Sequence, residues 1–179
     1  MLTLRPWRPE DAPAVLAAFT PPQMSRQADH PVDSLAAASR WIERRTAEHE
    51  TGSAYAFAVA DESDVPLGNV ALSAVNLTHG TGWVSYWTRA ESRGKGTATT
   101  ALRSLTAWAF TTLHLHRLEL GHRTDNPSSC AVARAAGYTV EGLQREKLRY
   151  GAERFDVELH ARLAGDEAVP QSPVSPAFP

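Results

Sequence analysis

The run Arg93-Gly94-Lys95-Gly96-Thr97-Ala98 concentrates residue types that could do chemistry. Two glycines remove side chains that would keep a ligand from the backbone, and a helical apolar pattern starts at Thr97. Successive free N–H groups at a helix N-terminus attract phosphate, because the amides and the helix dipole point at the same place. Arg93 and Lys95 add positive charge. The segment reads as a pyrophosphate cradle; the alternative is a turn that needs glycine for its geometry only. It is not a P-loop, since Gly94-Lys95 is followed by Gly96 and not by Ser or Thr. Seven histidines are scattered with no HExxH pattern. A single cysteine, Cys130, rules out an internal disulfide and a multi-cysteine metal site. No metal is expected.

The rest of the chain must position that loop. With 179 residues, 42% of them hydrophobic, one domain with a real core is the default. No apolar run approaches the roughly 20 residues that span a bilayer, and the N-terminus lacks a signal-peptide pattern. A cytoplasmic protein with no membrane partner is expected. The net charge of -2 gives no support to a nucleic-acid partner.

Leu2–Pro6 reads as a strand and Pro9–Phe19 as a helix. The stretch to Pro31 has no period. Asp33 or Ser34 caps a second helix, with Leu35, Ala38, Trp41 and Ile42 on one face, ended by Gly52. The period then shortens to two. Ala54–Ala60, Leu67–Leu77 and Trp83–Thr88 form an antiparallel meander, with Gly68 at a bulge. After the glycine loop, Ala98, Ala101, Leu102, Leu105, Trp108, Ala109 and Leu113 make a helical stripe. Arg117–Leu120 is a strand. Asn126 and Pro127 open a short helix that Gly137 closes. Tyr138–Val140 starts another strand, and Arg154–Leu163 is the last. The order β-α-α-β-β-β-α-β-α-β-β suits an α/β (α+β) mixed sheet with helices on both faces. The expected single domain is 1–163. Residues 164–179, rich in Pro, Ser and Ala, read as a disordered tail.

These residues resemble a family. Ser85 to Ala98, with Arg93, Gly96 and Ala98 on an Arg-x-x-Gly-x-Ala pattern and Gly94 as an extra glycine, is similar to the coenzyme-binding core of the GNAT N-acetyltransferase superfamily. His116–Leu120 resembles that family's next strand, Asn126-Pro127-Ser128-Ser129 its Asn-x-x-Ser element, and Gly137-Tyr138 and Glu141-Gly142 the end of its core. The series is most similar to the RimJ/RimL branch, which acetylates ribosomal-protein N-termini, and it extends from Leu2 to Leu163.

The resemblance implies a GNAT fold: a central, mostly antiparallel sheet whose parallel strands splay, with helices on both faces. It implies acetyl-CoA as cosubstrate and direct transfer to a primary amine in a ternary complex. The acceptor is a protein N-terminus or a small-molecule amine. The alternative is an inactive acyl-CoA-binding sensor. Gly94, Lys95, Gly96, Thr97 and Ala98, with Arg93, would hold the pyrophosphate. The strand bearing Tyr86, Trp87 and Thr88 would line the pantetheine, a backbone amide there meeting the thioester oxygen. One of Tyr86 and Trp87 is core and the other faces the cleft. Asn126 is a helix cap, a pantetheine contact, or both. Ser129 is a first-turn polar residue or the acid that protonates the leaving thiolate. Ser128 is solvent-facing.

Gly121 stands where some relatives carry a glutamate base. The remaining candidates for base are Glu119, which has Arg117 as an alternative partner, and His122, which should point to the opposite face. Asp156 and Glu141 read as structural, and Cys130 as a small helix residue. Gln23, Met24 and Arg26 lie in the loop that lines the acceptor side in the family. Homodimers are common in this branch, and an exposed sheet edge would support one.

Overall fold

The computed structural model describes residues 1–28, 30–169 and 174–176, with backbone alone at 25–27 and 174–176. Its order is β1 (Leu2–Pro6), α1 (Ala12–Phe19), α2 (Leu35–Thr51), β2 (Tyr55–Ala60), β3 (Pro66–Asn76), β4 (Thr81–Thr88), α3 (Thr97–Thr111), β5 (Arg117–Arg123), α4 (Pro127–Ala135), β6 (Thr139–Tyr150), β7 (Glu153–Leu163) and β8 (Val174–Pro176). One eight-stranded sheet runs β6-β7-β5-β4-β3-β2-β1-β8. All neighbours are antiparallel except β4–β5 and β1–β8.

Period-two patterning places a core on each face of this sheet. Phe57, Val59, Val70, Leu72, Val84, Leu118 and Leu120 pack with Leu102, Leu105 and Trp108 of α3 and Ala133 of α4. On the other face, Ala56, Ala58 and Trp87 meet Val15 and Phe19 of α1 and Trp41 and Ile42 of α2. Small residues on β2 leave room there for large rings. Trp7 lies edge-on to Trp41 with centroids 5.2 Å apart, and Phe19 packs against Trp87 at 5.4 Å. Both helical layers expected from the pattern are present.

Local chemistry sets the helix ends. Ser34 Oγ accepts the Ala37 N–H at 3.2 Å and starts α2, which Gly52 ends at φ 70°. The first expected helix divides into a 3-10 turn, Pro9–Asp11, and α1. Asp11 at this junction is buried. It accepts from Arg5 at 2.7 and 2.9 Å and from the Arg8 amide at 2.9 Å, which ties the turn to β1.

Two stretches differ from the sequence reading. β6, whose start the sequence marks at Tyr138–Val140 with no end assigned, continues to Tyr150. Its residues are mostly exposed on both faces, so no alternation marked it. Two register shifts bend it, and Asp156 accepts the Glu146 amide at 2.7 Å at the second, a structural role. Glu141 lies in this strand and pairs with Arg117, a structural role. Within the segment read as a tail, Val174–Pro176 runs parallel to β1 from Leu2 to Leu4. Residues 170–173 and 177–179 lie outside the described residues.

Candidate active site

The site begins where two parallel strands part. β4 and β5 pair only at Thr81↔Arg117, Gly82↔Leu118 and Trp83↔Glu119. From Val84 to Thr88 the β4 edge facing β5 has no strand partner. The gap widens into an open cleft of about 730 Å³. Tyr86, Trp87 and Thr88 form one wall, Arg123 to Ser129 the other, and the loop from Ser92 to Thr99 one end.

That loop matches its sequence reading in geometry. Gly94 and Gly96 take φ of 72° and 76°, the left-handed region that glycine adopts without strain. A Cβ on either would meet nothing within 4 Å. Neither glycine is needed for packing, so both leave open space over the backbone. Gly96 is the N-cap residue of α3 and makes no side-chain cap. The first acceptor contact of this turn is Thr100 N to Gly96 O. Among the described residues, no close backbone hydrogen bond outside the helix engages the amides of Gly94 to Thr99, which stand in a turn at a helix N-terminus, the arrangement that binds anions. Arg93 reaches over the cleft mouth, its Nε 3.4 Å from Thr88 O. Thr97 and Ala98 line the cleft, whereas Lys95 is exposed outside its lining.

At the opposite wall, Asn126 caps α4, its Oδ1 accepting the Ser129 N–H at 3.1 Å. Replacing Asn126 with Ala is expected to cost about 0.5–2 kcal/mol of stability, the usual loss for such a cap, measured by urea unfolding. The cap turns Ser129 toward β4. Ser129 Oγ lies 2.9 Å from the Tyr86 hydroxyl, which also donates to the Ser129 carbonyl at 3.1 Å. Burial raises the Tyr86 pKa above its usual value, so the phenol stays neutral at ordinary pH. The pair is a part-buried set of two hydroxyls at the cleft wall. Of the two neighbouring aromatics, Trp87 joins the α1–α2 core and Tyr86 carries the polar group. Ser128 is exposed at the cleft edge.

The two expected bases are elsewhere. Glu119 is held by Arg117 at 2.6 Å, and Arg117 also binds Glu141. This ion-pair group stands outside the cleft lining. His122 is on the opposite face of β5, 7% exposed, with its ring in the interior. Strand alternation puts the two on opposite faces of β5, and neither is in the cleft lining. Gly121 has no space for a carboxylate, because a Cβ there would sit 2.8 Å from Val157 and 3.1 Å from Trp83.

Sequence reasoning missed Arg123, Asp125 and Tyr150 in the lining. Arg123 pairs with Asp125 and stacks 3.5 Å over the Phe155 ring. The flanks of Asn126 gave a weak signal for the first two. Tyr150 had none, because its strand was not read. Gln23 and Met24 line the far side, Met24 buried in a 3-10 turn, Pro22–Gln27. The Arg26 side chain lies outside the described residues.

A family model described as the acetyltransferase (GNAT) domain matches residues 1–139. An uncharacterized N-acetyltransferase p20 of Bacillus licheniformis is 24% identical over 169 residues, covering 93% of this chain and 95% of that protein. The ribosomal-protein-serine acetyltransferase of Escherichia coli (strain K12) is 27% identical over 115 residues, 64% of each chain. Among solved structures, RimL, a ribosomal L7/L12 alpha-N-protein acetyltransferase in complex with coenzyme A, shares the fold. Its TM-score is 0.82 at 22% identity, covering 90% of this chain and 93% of that one.

Proposed function

The chain belongs to the acetyltransferase (GNAT) domain family, and from that premise we propose that it moves the acetyl group of acetyl-CoA to the α-amine of a protein N-terminus. It is an acyl-CoA-dependent N-acetyltransferase of the RimJ/RimL-like type. The observation that carries the mechanism is the Ser129–Tyr86 hydroxyl pair at the wall of a cleft that ends in the glycine loop.

In this reading Gly94 to Ala98, with Arg93, hold the pyrophosphate of the coenzyme, and the free edge of β4 lies along its pantetheine arm. The amine nitrogen forms a bond to the thioester carbonyl carbon. A backbone N–H of the free β4 edge steadies the oxyanion. As the carbon–sulfur bond breaks, Ser129 Oγ gives its proton to the departing thiolate and draws one from Tyr86 or solvent. Asp125 is the one carboxylate in the lining, and it serves for the amine's proton.

Two features favour a protein acceptor over a small polycation. The cleft is open along its length, and Asp125 is already paired with Arg123, so the lining offers no net negative charge to a polyamine. The relatives named for ribosomal proteins support the same choice. The hydroxyl pair favours an enzyme over an acyl-CoA sensor.

The test is a panel of peptides with free and blocked N-termini, together with spermidine, assayed with acetyl-CoA by thiol release. Turnover is expected with free N-termini only. Turnover with spermidine alone would overturn the acceptor, and silence across the panel with coenzyme bound would overturn the enzymatic reading.

A further inference from the structure

Four side chains from three elements converge between α4 and the sheet: His122 of β5, Cys130 of α4, and Glu158 and His160 of β7. Their donor atoms all lie within 4.8 Å of one another. Each histidine turns Nδ1 to a backbone carbonyl, His122 to Arg123 O at 2.9 Å and His160 to Tyr138 O at 3.5 Å. A neutral imidazole has one N–H. Where that N–H goes to the carbonyl, Nε2 is left with a bare lone pair, the form that binds a metal. Yet the two Nε2 atoms face each other at 2.9 Å. Glu158 Oε1 stands 2.9 Å from one and 3.4 Å from the other, and Cys130 Sγ lies 3.4 Å from the same oxygen. Acceptor atoms so placed need a proton or a metal cation among them.

We propose that this cluster is a binding site for a zinc-class divalent transition-metal ion, coordinated by His122 Nε2, His160 Nε2, Glu158 and the Cys130 thiolate. Two neutral imidazoles, a carboxylate and a thiolate carry two negative charges, which such an ion cancels. Nitrogen and sulfur donors select zinc-like ions over magnesium or calcium, which prefer oxygen. Ligands about 2.0–2.3 Å from a tetrahedral centre are roughly 3.3–3.8 Å apart; the nitrogen and oxygen spacings of 2.9–3.4 Å need to open by a few tenths of an ångström, and the sulfur, within 4.8 Å of every other donor, needs to close by about 1 Å at most. The outer contacts also fit. Backbone carbonyls fix both rings, as they do around bound metals, and Arg134 Nε lies 3.3 Å from the sulfur as an outer donor. The histidines are 7% and 1% exposed, while Cys130 and Glu158 are partly exposed and give the ion a way in. A bound ion would pin α4 to β5 and β7, one residue from Ser129.

The full-length protein, reduced and freed of metal with a chelator, is titrated with cobalt(II) and then zinc(II). One cobalt per chain is expected, with visible bands of a four-coordinate ion and a thiolate-to-cobalt charge-transfer band, both lost on adding zinc. Cys130→Ser should remove the charge-transfer band. His160→Gln should weaken binding at least about 100-fold, since even outer-shell changes cost about 10–100-fold. Coenzyme A binding, whose lining does not include the cluster, reports that each variant is folded. Absence of stoichiometric uptake by folded protein would overturn the proposal. So would cobalt spectra unchanged by both substitutions, with only a proton then occupying the cluster.

Discussion

Gly96→Glu is expected to weaken coenzyme A binding by about 1,000-fold while the protein still folds. The fold survives because a Cβ at this position meets no atom within 4 Å. The backbone cost is strain alone, about 1–2 kcal/mol for a side chain at φ 76°. The binding cost is electrostatic. A carboxylate about 4 Å from a phosphate, at an effective dielectric near 20, opposes it by about 4 kcal/mol, close to three orders of magnitude in affinity. Gly96→Ala is the control. It carries the strain without the charge and should bind far better than Gly96→Glu. Calorimetric titration with coenzyme A, alongside thermal unfolding, measures both. Unchanged affinity in Gly96→Glu would show that no phosphate rests on this loop.

Replacing both hydroxyls, Ser129→Ala with Tyr86→Phe, is expected to lower kcat by about 10²–10⁴-fold, the range for a lost general acid. Coenzyme affinity should change little, because in the proposed mechanism the pair meets the sulfur and not the phosphates. Ser129→Ala alone should cost less, since the Tyr86 phenol is neutral and hydrogen-bonded beside it, 2.9 Å from the serine oxygen. The two substitutions should therefore be non-additive. Steady-state rates by thiol release, with separate measurement of coenzyme affinity, distinguish a lost acid from lost binding. Full activity in the double variant would remove both residues from the proton path.

The glycine loop was legible because its signal is local. A left-handed φ at Gly94 and Gly96, followed at once by a helical stripe, is written in six consecutive residues. The Asn126 cap was legible for the same reason, spanning Asn126 to Ser129. Tyr86 as the partner of Ser129 was not, because the two are 43 residues apart and meet only through the crossover that brings α4 over β4. Glu119 and His122 were attractive as residue types on the right strand. Alternation and a competing Arg117 took both away from the cleft. The end of β6 was not legible because an edge strand exposed on both faces needs no apolar period.

By itself, then, the sequence determined the element order from β1 to β7, the two helical faces, the glycine loop before α3 and the Asn126 cap of α4. Each depends on neighbours along the chain, whose period and turn chemistry act within a few residues. Only the tertiary structure decided what crosses between elements. It set the point at which β4 leaves β5, the pairing of Tyr86 with Ser129, and the removal of both expected bases from the cleft. It also gathered His122, Cys130, Glu158 and His160 into one cluster, although the chain has no metal motif to announce it. The reason is geometric: strand register and the seating of α4 fix these distances, and neither is encoded in the spacing of the residues they bring together.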